Sequence, residues 1–276
     1  MGNRPFTLPP RPNVAAAETA TSTARPPFTA LRQCLELQGE SPRLSRFARL
    51  FGADPLQRAA GRSYRGAIAE LSVAGALSSL GEDWTVLHSV PIGPDVASIE
   101  HLVIGPPGVL IISTKSHAGQ RVWAGELMFI ADDVRHPYLP LAEQQNGAVA
   151  ERLASEDRAL VPVTSCLVVA GPCELTVKRH ARHIEIVPSR DFGRWLLDLP
   201  RLVSPQLVSA LAASASGWSM PDDQVDDTEL HLVAFDRLRR SIRRSLLLRA
   251  GWVGVALALS YGALYSGALA LLGVAH

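Results

Sequence analysis

From residue 250 to residue 275 the chain reads AGWVGVALALSYGALYSGALALLGVA, without one formal charge. At about 1.5 Å per residue a helix of that length reaches roughly 39 Å, more than the roughly 30 Å of a bilayer's hydrocarbon core. Core helices of soluble domains rarely run so long without a charge. Arg237, Arg239, Arg240, Arg243, Arg244 and Arg249 stand before the run and only His276 comes after it. That asymmetry predicts a single-pass C-terminal anchor with the rest of the chain on the cytoplasmic side. No charged stretch leading into a short apolar run opens the chain, so no cleavable signal peptide is expected. Gly262, Ser266 and Ala270 place a small residue at every fourth position. Such a stripe lets a second helix approach closely, so a homodimer through it is one expectation. A segment rich in Ala and Gly also produces this spacing by composition alone.

Upstream of the anchor the chain has the makings of a folded domain. It is 47% hydrophobic and 19% charged over 276 residues, which excludes general disorder. A net charge of +1 excludes a globally basic nucleic-acid coat. Cys34, Cys166 and Cys173 are odd in number and form no CxxC pair. This argues against a disulfide framework and a cysteine zinc site, and fits a reducing compartment. Neither a GxxxxGK[ST] loop nor a GxSxG elbow occurs, which removes the commonest nucleotide-hydrolase and α/β-hydrolase plans.

Composition divides the chain. Residues 1–30 carry six prolines and no hydrophobic period, and read as a flexible arm. Residues 31–61 hold short helical patterns broken by Pro42 and Pro55. Residues 62–218 carry the globular patterning, 219–229 form an acidic linker, and 230–249 form a basic amphipathic helix leading into 250–275. In that helix Leu230, Ala234, Leu238, Ile242 and Leu246 recur at every fourth residue as a predicted apolar stripe.

Within 62–218, SYRGAIAELSVAGALSSLG predicts a helix with Ile68, Leu71, Leu77 and Leu80 on its apolar face. WTVLHSV, SIEHLVIG and VLIISTK read as strands, the last two joined by a Gly105-Pro106-Pro107-Gly108 turn. QRVWAG and ELMFIA suggest a second hairpin. Residues 140–155 read as a helix, VTSCLVVAG and IEIVP as strands, and FGRWLLDL and PQLVSALAASAS as helices. The order predicts an α/β fold with a mixed sheet flanked by helices.

The hairpin carries the chemistry. A loop at Gly105–Gly108 sets Ile104 opposite Val109, Leu102 opposite Ile111 and Glu100 opposite Ser113. Glu100, Ser113 and Lys115 then share one face near the open end. A carboxylate holds a hard divalent cation through oxygen, and an ammonium offsets charge on a phosphate or orients water. Spacing alone is equally met by a surface ion pair, and a slip of one residue undoes the arrangement. The run Lys178, Arg179, His180, Arg182 and His183 suits phosphate contact or a solvated edge.

RGAIAELSVAGAL, IEHLVIGPPGVLIISTKSHAG, VWAGELMFI and HPYLPLAEQQNGAVAERL together resemble the nuclease-related domain (NERD) family of the PD-(D/E)xK nuclease superfamily. The resemblance spans about Tyr64 to Leu153, and VPVTSCLVVAG extends it. Its most specific part is the stretch close to I-D-H-x-V-x-G-P-x-G-V-x-x-I-D-T-K. The resemblance implies a restriction-endonuclease-like fold and a metal-dependent nuclease site for DNA or RNA. It implies Glu70 from a core helix and Glu100 from the strand as acids holding Mg²⁺ or Mn²⁺, Lys115 as the motif lysine, and a helix glutamine, Gln144 or Gln145. Two departures stand out. Glu100 takes the place of an aspartate, and Ser113 stands where a second acid is expected. A unit charge pair near a surface is worth about 4 kcal/mol at 4 Å and a dication doubles it, so a lost carboxylate weakens metal binding steeply. A nuclease and a degenerate binding or scaffolding module of the same fold are therefore both expected readings.

Overall fold

The hairpin at Gly105–Gly108 forms the centre of a five-stranded sheet. The computed structural model describes residues 28–40, 45–93, 98–154, 161–179, 181–218 and 225–273, so most of the arm and of the acidic linker lie outside the described residues. In chain order come α1 (Thr29–Gly39), α2 (Arg46–Leu50), α3 (Gly61–Ser78), β1 (Thr85–Val90), β2 (Ile99–Gly105) and β3 (Gly108–Ser116). Next are β4 (Arg121–Ala124), β5 (Phe129–Ala131), β6 (Val134–His136), α4 (Tyr138–Ala154), β7 (Val163–Ala170), β8 (Glu174–Val177) and β9 (Ile184–Pro188). The chain ends in α5 (Phe192–Leu197), α6 (Pro205–Ala215), a short 3-10 turn and α7 (Val225–Gly273).

The described chain divides into two units. The first, Met1–Arg32 with Arg62–Thr228, holds both sheets. Its main sheet runs β1-β2-β3-β7-β9, antiparallel at β1-β2 and β2-β3, parallel at β3-β7 and β7-β9. Ile104 lies opposite Val109 and Leu102 opposite Ile111, the register the sequence predicts. The turn is tighter than read, because Gly105 and Gly108 themselves pair and leave Pro106 and Pro107 as the loop. Prolines, lacking an N–H, are least disruptive where no ladder bond is required of them. Val103, Leu110, Ile112, Cys166 and Val168 pack on Val73 and Leu77 of α3 and Phe192 of α5. On the other face Leu102, Ile104, Val109 and Ile111 pack on Val149 of α4 and Leu211 of α6. A smaller sheet, β6-β5-β4-β8, joins α4 and the β7-β9 edge through Val122, Phe129, Leu139 and Leu167. The α/β plan with mixed sheets flanked by helices is the one expected.

The face of α3 differs from the reading. Gly66, Ala69, Val73 and Leu77 are buried, while Ile68 and Leu71 are only half-buried. Small residues bring the helix axis close to the sheet, so the larger side chains are turned to the flanks.

The second unit is Gln33–Gly61 with Glu229–His276. α7 begins at Val225, inside the acidic stretch, and continues unbroken through the basic and apolar segments. Its stretch Thr228–Tyr265 is long and apolar enough to cross a membrane. The four-residue stripe is buried only at its middle. Leu238 is buried, Ala234 and Ile242 are half-buried, and Leu230 and Leu246 are exposed, while Phe235 and Ser245 outside the stripe are buried. A strict period of four drifts about 40° per step round a helix of 3.6 residues per turn, whereas steps of three and four hold one face. Of the small-residue stripe, Gly262 has open space round it, and the side chains of Ser266 and Ala270 lie outside the described residues.

Candidate active site

β2 and β3 separate beyond the His101–Ile112 pair. There the Glu100 side chain takes the place of the next backbone acceptor. Its Oε2 accepts the Thr114 N–H at 2.6 Å and its Oε1 accepts from Lys115 Nζ at 2.6 Å. The two side chains are 31% and 19% exposed, so the pair is reachable from solvent but largely screened from it. Charge-assisted bonds of this length are the stronger class. The ammonium also lies 5.7 Å from the centre of the Tyr138 ring, within cation–π range. Tyr138 is held above the usual phenol range, first by burial and then by the charge of Glu100. His136 stacks on Tyr138 at 4.9 Å, and His117 meets His136 edge-on.

Glu70 comes from α3. Its carboxylate accepts the backbone N–H groups of Ala30 at 2.8 Å and Leu31 at 3.2 Å, in the first turn of α1. Those donors have no partner within their own helix, so Glu70 serves α1 as a cap from elsewhere in the chain. Burial pushes its pKa up to about 7, the two backbone bonds oppose that rise, and the charge of Glu100 adds to it. Glu70 and Glu100 thus feel each other's charge. Gly66, one turn earlier on α3, makes the close approach possible. A Cβ there would lie 2.9 Å from the Ala30 Cβ and 3.3 Å from the Ser116 Cβ.

Ser113, where the resemblance implies a second acid, is 7% exposed and adds no charge. The two glutamines part company. Gln145 is 4% exposed and its Nε2 donates to the Ser98 carbonyl at 3.4 Å, just before β2. Gln144 is on the exposed side of α4. Leu139, Ala142, Gln145, Val149 and Leu153 form the buried stripe of that helix. Sequence reasoning passed over Tyr138 and His136, although HPY opens the very helix that carries the glutamines.

Among the described residues no three His, Cys, Asp or Glu side chains converge as a metal cluster. Two carboxylates remain, Glu100 and Glu70, each oxygen of which uses one lone pair in the bonds above and keeps another. Buried and without a hydrogen-bond partner beside Lys115 are Thr114 Oγ1, Ser116 Oγ and His117 Nε2. Mg²⁺ keeps several waters and takes only one or two carboxylates with substrate phosphate, a demand that Glu100 and Glu70 meet in number.

A match to a protein family covers these same elements. Residues 65–170 match the nuclease-related domain, NERD. The match to the nuclease-related domain runs from α3 through β7 and so holds Glu70, Glu100, Lys115 and both glutamines. The general setting of that family is the PD-(D/E)xK superfamily. No curated protein and no solved structure matches the chain.

Proposed function

We propose that the protein is a membrane-anchored, divalent-metal-dependent phosphodiesterase that cleaves DNA or RNA. The observation that carries this reading is the contact of Lys115 with Glu100 at 2.6 Å, within the stretch matched to the nuclease-related domain. In this reading Lys115 is the group that meets the scissile phosphate, and its ammonium offsets the charge that grows there. Glu100 holds the lysine in place and, with Glu70, supplies the oxygens for Mg²⁺ or Mn²⁺. When bound, that cation polarises a phosphoryl oxygen and lowers the pKa of water. Gln145 is a positioning residue, tying the start of β2 to α4 through Ser98. The apolar part of α7 anchors the chain, and the arginines before it hold the nuclease-related domain on the cytoplasmic side, with access to intracellular nucleic acid.

A second reading keeps the fold and drops the chemistry, leaving a nucleic-acid-binding or scaffolding module at the membrane. The observations that favour it are uncharged Ser113 at the second acidic position and the engagement of both Glu70 oxygens by α1. A cleavage assay separates the two. The full chain in detergent is given labelled single- and double-stranded DNA and RNA with Mg²⁺, Mn²⁺ or EDTA, beside Lys115→Ala. Metal-dependent cleavage lost in Lys115→Ala supports the phosphodiesterase. Binding without cleavage by either protein supports the module.

A further inference from the structure

The stretch Ser45–Leu56 reads SRFARLFGADPL, and its helical part is too short to bury much. Phe47, Leu50 and Phe51 stand at i, i+3 and i+4, so they share one face. All three are exposed, Phe47 by 76% and Phe51 by 57%. Arg46 and Arg49 flank them and are exposed as well. Ser45 fixes the start of α2, its Oγ accepting the Ala48 N–H at 3.1 Å. An amphipathic turn this apolar on its open side needs a cover.

The segment just after α2 is clamped to α7 within the same unit. Gly52 has a φ of 72°, and a Cβ there would lie 2.7 Å from the Ser245 carbonyl oxygen and 2.9 Å from the Arg249 nitrogen. The two backbones therefore touch. Arg249 Nε donates to the Gly52 carbonyl, and its Nη2 lies 3.8 Å from Asp54. Trp252 Nε1 donates to the Leu50 carbonyl at 2.9 Å, and its ring centre is 5.1 Å from that of Phe51. These contacts fall at one place on α7, where the last arginine gives way to the uncharged run.

We propose that α2 and Trp252 form an interfacial foot, with Phe47, Leu50 and Phe51 set into the headgroup–acyl boundary of an anionic bilayer. The inference rests on the reading of α7 as a membrane span. Two features choose the bilayer over a protein as the cover. The patch is continuous, through Trp252, with the exposed apolar surface of α7 at Val253 and Leu257. Its exposed basic flanks, Arg46 and Arg49, complement lipid phosphate. Tryptophan at the first turn of a span, beside an apolar face edged by arginine, is the pattern of a surface-lying element. The foot fixes how deep α7 sits, because the clamp leaves Arg249 and Trp252 no freedom to slide along the bilayer normal.

Depth-dependent quenching tests the foot on the full chain. Cys173 is exposed and Cys34 and Cys166 are buried. A Cys173→Ser background therefore takes an environment-sensitive fluorophore at Phe47→Cys, at Leu50→Cys, or at Leu257→Cys as the span control. The labelled chains are placed in phosphatidylcholine–phosphatidylserine vesicles with spin-labelled lipids, shallow or deep, or with aqueous iodide. Expected are stronger quenching by shallow than by deep lipid labels at 47 and 50, with iodide quenching reduced relative to the chain unfolded in denaturant, and the reverse depth preference at 257. Full iodide quenching at 47 and 50, with 257 quenched by deep labels, overturns the foot and leaves the span standing. Shielding at 47 and 50 without lipid quenching means that a second copy covers the patch, and also overturns it. Absence of deep quenching at 257 removes the span and the foot together.

Discussion

Glu100 and Lys115 meet at 2.6 Å just past the point where the backbone ladder between their strands ends. One carboxylate thereby fixes Lys115 and closes the Thr114 N–H that the ladder leaves open. Lys115 and Glu100 form a half-buried pair, so they contribute modestly to stability and more to the placement of charge.

Lys115→Ala is expected to lower metal-dependent cleavage by about 10²-fold or more, the usual cost of losing a donor aimed at developing charge. Thermal unfolding should change by about 1 kcal/mol or less. Glu100→Gln keeps an acceptor for Thr114 but removes the counter-charge. Calorimetry should then show weaker Mn²⁺ binding with a nearly unchanged Tm. A large fall in Tm for either variant would make the pair structural.

Ser113→Asp places an acid at a position that is 7% exposed. A buried carboxylate without a partner costs several kcal/mol, so the variant should melt lower in EDTA. Mg²⁺ or Mn²⁺ should return the lost stability, because a ligand that binds only the folded state raises Tm with its concentration. Cleavage should rise in parallel. A Tm that stays low at all metal concentrations would mean that no cation sits beside Ser113.

Much of the fold was legible in the sequence, for reasons tied to particular residues. Two prolines between two glycines fix a turn, and a turn fixes register, so Leu102 had to fall against Ile111. The engagement of Glu70 by Ala30 and Leu31 was not legible, since no local pattern reports a contact across about forty positions. β6 and β8 are three and four residues long and largely unburied, so they carry too little alternation to read. The choice of Gln145 over Gln144 was available from the spacing of Leu139, Ala142, Val149 and Leu153, which holds one helix face only with Gln145 on it. Strict alternation along β1 and β2 also fails near the site. Val90 and Ile99 pack in the same cluster as Leu87 and Leu102, three positions away in each strand. The break falls at Ser89, whose φ of 53° turns the strand beside Glu100.

Glu70 predicts a pH dependence of its own. Burial raises its pKa from 4.5 to about 7 in the folded chain. The folded state therefore binds a proton more tightly than the unfolded one. The stability this brings is fully present below about pH 4.5 and is lost as pH rises through about 7. Glu70→Gln mimics the protonated form, so its Tm advantage over the natural chain should grow from pH 5 to pH 8. A constant difference across that range would mean that Glu70 is ionised throughout.

His88 and His101 act in the opposite direction. They face each other across β1 and β2, with their Nδ1 atoms 2.7 Å apart. One ring donates and the other accepts, so protonating both rings leaves the bond without an acceptor, and burial disfavours even the first charge. Burial, and then the charge of His101, lowers the pKa of His88 to about 3, and burial lowers that of His101 to about 4. In the unfolded chain both titrate near 6.5. Between that value and about 4 the unfolded state binds more protons, and stability falls as pH falls. Each histidine contributes a slope of about 1.4 kcal/mol per pH unit where only the unfolded chain is protonated. His88→Leu/His101→Leu removes both protonations, so its Tm should hold nearly level from pH 7 to pH 5 where the natural chain declines. Both chains are best compared in a Glu70→Gln background, which removes the opposing carboxyl titration from the same range. Parallel Tm curves for the two would mean that the histidines exchange protons alike in the folded and unfolded states.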